Sequence, residues 1–280
     1  MSIKIITDSS CDLSLDIIKK YNIGLIGLNI SINNQNYKDT EMSNDKFYKE
    51  MKNSKELPKT SCPSPDVFAS AYDCKEDNVI VFTLTSKLSA TYSTAVLGKN
   101  IFAETNSKRV ETIDTRTGSV AHGLLIIKTA QLINEKKLSF DEILEEIEKM
   151  KSQVELFGTL ETLDNAVKGG RISPLKGKLA NALNLKGLIR VEDGIVKPVG
   201  TARGENNSLN KVINSILEIA DERNSNDIII NIGHANCIEK AERVKEILLS
   251  KHNFKEILIN EIGPAMGTYT SSGAILISIL

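Results

Sequence analysis

Thr60-Ser61-Cys62-Pro63-Ser64-Pro65 and Thr85-Ser86-Lys87-Leu88-Ser89-Ala90-Thr91-Tyr92 are two hydroxyl-rich loops, each placed where a helix is expected to begin. In the first, Ser64 reads as an N-cap and Pro65 as the first helical residue, with Val67, Phe68, Ala71 and Tyr72 at helical spacing. In the second, the β-rich run Val79-Ile80-Val81-Phe82-Thr83-Leu84-Thr85 leads into the loop, and Ser89 is placed to cap the following helix. Strand, loop and helix in that order build a parallel α/β sheet, whose ligands sit beyond the carboxyl ends of the strands. Helix N-termini offer unpaired N–H groups and a positive dipole end, and neighbouring hydroxyls add donors. Two such loops suit a carboxylate or a phosphate held without a formal positive charge. They are equally well explained as capped helix starts with no ligand at all.

The same rhythm extends in both directions. Strands are expected near 3–7, 25–31, 79–85 and 109–114, and the helix after 114 carries Val120, Leu124, Leu125 and Ile127. Ser139-Phe140-Asp141-Glu142 is a capping box, opening a helix with Phe140, Ile143, Leu144, Ile147 and Met150 on one face. This half predicts a mostly parallel sheet flanked by helices on both faces. Near 155 the rhythm changes. A strand at 154–159 and a helix at 160–167 lead to a helix stop at Gly169-Gly170. A hairpin at 187–200 turns at Glu192-Asp193-Gly194, followed by a helix at 208–221 and a strand at 227–232. A helix at 238–250 and strands at 257–262 and 274–279 complete the pattern. The expected fold class is α/β in two domains, 1–155 with the hydroxyl-rich loops and 156–280, with a ligand at their junction.

Bulk properties exclude several classes. Basic and acidic residues nearly cancel, 35 against 36, no long like-charged run occurs, and there is no Trp. A nucleic-acid surface is therefore not expected. Met1 to Ser10 has no apolar signal core, and no stretch approaches the ~20 apolar residues that span a bilayer. A cytoplasmic protein with at most transient membrane contact is expected. Cys11, Cys62, Cys74 and Cys237 form no C-x-x-C pair and read as small buried fillers in a reducing compartment. His122, His234 and His252 fall outside the hydroxyl-rich motifs and read as helix-surface or packing residues. Asp8, Asp12 and Asp114 stand where aspartate caps helices and fixes turns, so no metal is expected. With no G-x-S-x-G elbow and no G-x-x-x-x-G-K-[ST] loop, no catalytic residue is assigned.

Four further motifs accompany the two loops: Thr7-Asp8-Ser9-Ser10-Cys11-Asp12-Leu13, Asp114-Thr115-Arg116-Thr117-Gly118-Ser119, Lys168-Gly169-Gly170-Arg171-Ile172-Ser173 and the segment Gly263 to Ala274. In this order, from about residue 3 onward, the set resembles the DegV family of bacterial fatty-acid-binding proteins that partner a fatty acid kinase. The resemblance implies a DegV-like, lipid-binding carrier and not a self-sufficient enzyme. A long-chain fatty acid such as palmitate, with no other cofactor, would lie in an enclosed tunnel between the domains. Its carboxylate would rest on Thr60 and Ser89, with Ser61 and Arg203 as secondary candidates. The kinase subunit would phosphorylate that carboxylate, giving an acyl phosphate for phospholipid metabolism.

The sequence departs from the family in two motifs. Its G-T-H-x-G-P-G pattern reads Gly267-Thr268-Tyr269-Thr270-Ser271-Ser272-Gly273, with Tyr269 for the histidine and Ser272 for the proline. The Leu-Ser-Gly of the second loop is Leu88-Ser89-Ala90. A tyrosine hydroxyl still donates to a carboxylate, so Tyr269 joins the fatty-acid-binding candidates, but it supplies no cation near neutral pH. Arg171 follows the Gly169-Gly170 stop and is expected to point outward, docking acidic groups of the kinase. Two other readings stand beside the carrier. One is a small-molecule phosphotransfer-type enzyme at the same hydroxyl cluster, since DegV-like domains resemble part of the dihydroxyacetone-kinase fold. The other is a lipid-responsive regulatory module. A carrier needs a long apolar pocket, an enzyme a polar cleft.

Overall fold

The computed structural model describes residues 2–135, 137–173 and 184–280. The chain begins with β1 (Ile3–Asp8), α1 (Leu15–Lys20), β2 (Gly24–Ile26), β3 (Asn29–Ile32), β4 (Gln35–Lys38) and α2 (Asn44–Asn53). Next come β5 (Lys59–Ser61), α3 (Pro65–Tyr72), β6 (Asn78–Thr83), α4 (Thr91–Ala103), β7 (Arg109–Asp114), α5 (Ser119–Glu135) and α6 (Phe140–Gln153). The remainder is β8 (Glu155–Leu160), α7 (Asp164–Lys168), β9 (Leu185–Glu192), β10 (Ile195–Arg203) and α8 (Glu205–Glu222). It closes with β11 (Ile229–His234), α9 (Ile238–Leu249), β12 (Glu256–Glu261), α10 (Pro264–Thr270) and β13 (Ile275–Ile279).

The first sheet is parallel throughout, in the order β2-β1-β6-β7. Its two faces can be read off β6, where successive side chains point in opposite directions. Val79 and Val81 pack with Phe68, Tyr72, Ala95 and Phe102 of α3 and α4. Ile80 and Phe82 pack with Leu124 and Leu125 of α5 and with Phe140, Ile143 and Ile147 of α6. The capping box of α6 forms as expected, with Ser139 Oγ accepting from Glu142 N at 3.3 Å and Glu142 Oε2 accepting from Ser139 N at 2.7 Å.

The second sheet has six strands in the order β10-β9-β8-β13-β11-β12, and only its β11–β12 pair is parallel. The β9–β10 hairpin turns through Asp193 (φ 49°) and Gly194 (φ 78°), the positive-φ pair of a tight two-residue turn. α8 and α9 cover one face of this sheet, and α5 packs on β11 and β13 from the other. Lying between two sheets, α5 is buried on nearly every side, which explains its run from Val120 to Ile127 without an amphipathic stripe. The strands of the parallel sheet all precede residue 155, and those of the six-stranded sheet begin at Glu155 or after it.

Three local expectations are corrected. The strand expected at 25–31 is two strands in different sheets, with Gly27-Leu28 crossing between them. β3 instead joins a small antiparallel sheet, β4-β3-β5, that carries Thr60 and Ser61 on β5. Strands of three or four residues are too short for periodicity to reveal. The helix expected at 160–167 starts only at Asp164, and residues 264–270 form a helix that went unpredicted.

Candidate functional site

A cavity of about 440 Å³ lies where the loops after the parallel sheet meet the three-stranded sheet and the β9–β10 hairpin, within the range of small-molecule sites. Its wall is mainly apolar, formed by side chains such as Leu28, Leu84, Leu156, Ile189, Val191 and Leu276. Ile189 and Val191 alternate along β9, so a period-two signal for this wall was present in the sequence.

The polar groups of the wall are contiguous. Thr60 Oγ1 lies 2.6 Å from Tyr269 Oη. The Tyr269 ring is stacked under the Arg171 guanidinium at 4.5 Å, while Arg171 Nη1 donates to Gly169 O at 2.6 Å. Gly169 admits this arrangement because any Cβ there would stand 2.4 Å from Tyr269 Cε1. On the other side, Cys62 Sγ meets Thr94 Oγ1 at 3.5 Å in the first turn of α4. Ser89 Oγ accepts from Thr91 N at 3.3 Å and lies 2.8 Å from Thr91 Oγ1, so α4 opens on the cavity at Ser89-Ala90.

The structure therefore brings Thr60, Ser61, Ser89, Tyr269 and Arg171 together on one cavity wall. Ser61 follows Thr60 on β5 and is the more exposed of the two, its Oγ accepting from Asn29 Nδ2 at 3.3 Å. Two placements differ from expectation. Arg171 was expected to project outward; the π-face of Tyr269 and the carbonyl of Gly169 hold it against the cavity instead. Arg203 ends β10 as an exposed side chain and is absent from the described wall, because it pairs with Leu185 at the open end of the hairpin while the wall takes Ile189, Val191 and Val196 nearer the turn. Of the four cysteines, all free, only Cys11 is buried as expected; Cys62, Cys74 and Cys237 are half-buried, Cys62 against the cavity.

Beneath the wall lies a buried polar hub built from the Thr7–Asp12 motif. Asp8 accepts from Ser10 N at 3.0 Å, from Leu84 N at 2.8 Å, and from Ser10 Oγ. Asp12 accepts from Ser119 Oγ at 2.5 Å and Gly263 N at 2.9 Å, and burial pushes its carboxyl well above the usual range. Asp114 accepts from Ser86 Oγ at 2.5 Å and Arg116 N at 3.0 Å. These aspartates fix turns, as their positions led us to expect. His122 is not a surface residue. It is wholly buried on α5 with Nε2 3.0 Å from Thr7 Oγ1, and burial lowers its pKa so that it stays neutral. Nothing local in the sequence signals that contact. Among the described residues, no group of His, Cys, Asp and Glu could hold a metal ion, and no helix is long and apolar enough to cross a membrane.

Ser271 carries a testable strain. It follows α10 with φ 66° and ψ 162°, a conformation essentially reserved for glycine. Its hydroxyl is also buried without a partner among the described residues. Ser271→Gly is expected to stabilise the fold by about 1–3 kcal/mol, read as a rise in Tm of about 2–4 °C per kcal/mol. An unchanged Tm would show that this backbone is not strained.

The chain was compared with known proteins. A family model described as "Uncharacterised protein, DegV family" matches residues 2–280. A DegV domain-containing protein of Clostridium perfringens is 34% identical over 283 residues, covering 99% of this chain and 98% of the relative. Among solved structures, a DegV-family protein from Ruminococcus gnavus, refined with vaccenic acid, superposes with a TM-score of 0.91 at 29% identity, covering 99% of each chain. The fatty acid kinase (Fak) B3 protein of Streptococcus pneumoniae, loaded with linoleic acid, superposes with a TM-score of 0.87 at 26% identity, again over 99% of each.

Proposed function

This chain belongs to the DegV family, and from that premise we propose that it is a carrier holding one long-chain fatty acid in the cavity and presenting it to a kinase. The observation that carries the reading is the character of the cavity, an apolar wall ending in hydroxyls and one guanidinium. Burying each methylene contributes about 0.8 kcal/mol, so a long acyl chain supplies affinity while the polar groups orient its carboxylate. Thr60, Ser89 and Tyr269 are the donors assigned to that carboxylate, and charge-assisted bonds from hydroxyls suit it well. The chemistry itself would belong to the kinase, which would add a phosphoryl group to the presented carboxylate. A small polar substrate finds few partners along such a wall, which counts against a phosphotransfer enzyme acting here.

The related structures that hold vaccenic and linoleic acids support the choice of ligand. The Fak B3 likeness supports the choice of partner. Tyr269, a neutral group, favours one second reading, a lipid-responsive module that binds an acyl chain without passing it on. Two measurements test the proposal. Denatured protein from a bacterial host, extracted with solvent, should release about one fatty acid per chain. Protein that yields none, and that also fails to bind added palmitate, is not a carrier. Addition of a fatty acid kinase and ATP should then convert the bound acid to acyl phosphate; binding without conversion would select the regulatory module.

A further inference from the structure

Besides its packing against α10 and the core, the three-stranded sheet is tied to the turn after β1 by one carboxyl that takes no direct part in the cavity. Asp39 follows β4 and is 4% exposed. Its Oδ2 accepts from Ser9 Oγ at 2.5 Å, and Ser9 Oγ in turn accepts from Leu28 N at 3.0 Å. Asp39 N donates to Leu28 O at 2.9 Å, so this one residue grips Leu28 from both sides. Its other oxygen, Oδ1, is buried and makes no hydrogen bond among the described residues. Gly27 closes that side, since a Cβ there would lie 3.2 Å from Oδ1.

Leu28 links this grip to the ligand site. Its side chain lines the cavity, and the next residues form β3, where Ile30 is the register partner of Thr60. A shift of Leu28 would thus be passed along β3 to Thr60 and its contact with Tyr269. The titratable groups facing Asp39 are the carboxyls of Asp8 and Asp12 around the neighbouring turn. Lys38 turns away to Asn29 Oδ1 at 2.6 Å, and Glu41 accepts from Lys38 N at 3.3 Å. His122 lies beyond Ser10 and is neutral. An anion at position 39 would have the Ser9 hydroxyl and the nearby N–H groups of Leu28 and Thr40 in its favour, and against it burial, one oxygen without a hydrogen bond among the described residues and two acidic neighbours, with burial the largest of these. Such a group favours its neutral form.

We propose that the Asp39 carboxyl is a proton-operated latch on the cavity wall, seated when neutral and loosened when ionised. Burial, opposed by the Ser9 bond and reinforced by Asp8, pushes its pKa up from 3.8 to about 7. The sign follows from linkage. The folded protein keeps a proton that the unfolded chain has already lost, so stability contributed by Asp39 is full below about pH 4 and is lost as pH rises to about 7. The ligand claim rests on the fatty-acid reading of the cavity; the stability claim does not.

The test compares the full chain with Asp39→Asn, which mimics the neutral carboxyl, at pH 6 and pH 8. Without ligand, the folding equilibrium constant of the parent should fall about tenfold more than that of the variant over this interval. If only the seated form binds, the apparent dissociation constant for palmitate should rise about tenfold in the parent and stay level in the variant. Ser9→Ala removes the hydroxyl donor and should move the step to higher pH, which keeps the test open if Asp39→Asn folds poorly. Identical pH profiles for stability in parent and variants would overturn the latch. A stability step in the parent with no palmitate binding at either pH would uphold the proton site and refute the fatty-acid reading.

Discussion

Replacing Thr60 and Ser89 together by alanine is expected to weaken fatty-acid binding by about a hundredfold or more. On the proposed reading each hydroxyl removed is a donor to a charged acceptor, worth about 1.5–3 kcal/mol, and every 1.4 kcal/mol is about tenfold in affinity. Thr60→Ala also leaves the Tyr269 hydroxyl, 2.6 Å away, without its partner. The ligand-free fold should change less, because both side chains are half-buried and neither belongs to a core cluster. Calorimetric titration with palmitate, alongside thermal melting of the apo protein, separates the two effects. Unchanged affinity in the double variant would place the carboxylate elsewhere on the wall.

Gly98→Val is expected to damage the fold most directly. Gly98 lies in the middle of α4 where that helix crosses α3, and a Cβ there would stand 2.7 Å from both Phe68 Cβ and Pro65 O. One of these is backbone and the other is the root of a buried ring, so neither moves aside cheaply. The helices must separate, and overpacking of this kind costs about 1–3 kcal/mol, with more for a branched side chain. For a chain of this size Tm should drop by about 2–4 °C per kcal/mol. Fatty-acid affinity should fall as well, because α3 and α4 carry the two hydroxyl loops at their N-terminal ends. Gly98→Ala should do the same to a smaller degree. A lowered Tm with full affinity would show that the loops hold their geometry independently of the helix crossing.

What could be read in the sequence was what is encoded locally. The β-rich run of β6, the Ser139–Glu142 capping box and the Asp193-Gly194 turn each depend on residues a few positions apart, and each forms the kind of element expected. The convergence of Thr60, Ser89 and Tyr269 was accessible only through resemblance, because no periodic signal links positions so far apart. Arg171 illustrates the limit. Its Gly169-Gly170 neighbours did end a helix, but its direction was decided by the ring of Tyr269, nearly a hundred positions away. Asp39 and His122 were invisible for the same reason, since burial by distant segments is what gives each its character. Arg203 shows the opposite error: the resemblance offered it as a candidate, yet its pairing with Leu185 at the open end of the hairpin keeps it away from the cavity.

The place of β13 bears on how the molecule is made. This strand pairs with β8 on one side and β11 on the other, matching Ile275 to Thr159 and Ile279 to Ile230. Until residues 275–279 have left the ribosome, the meander β8–β9–β10 and the pair β11–β12 share no neighbour and each presents a bare edge. Leu276, on the same strand, also completes the cavity wall. A nascent or stalled chain therefore shows chaperones two open sheet edges and an unfinished pocket. Any occupant of the cavity has to wait for β13 to slide into the middle of the sheet.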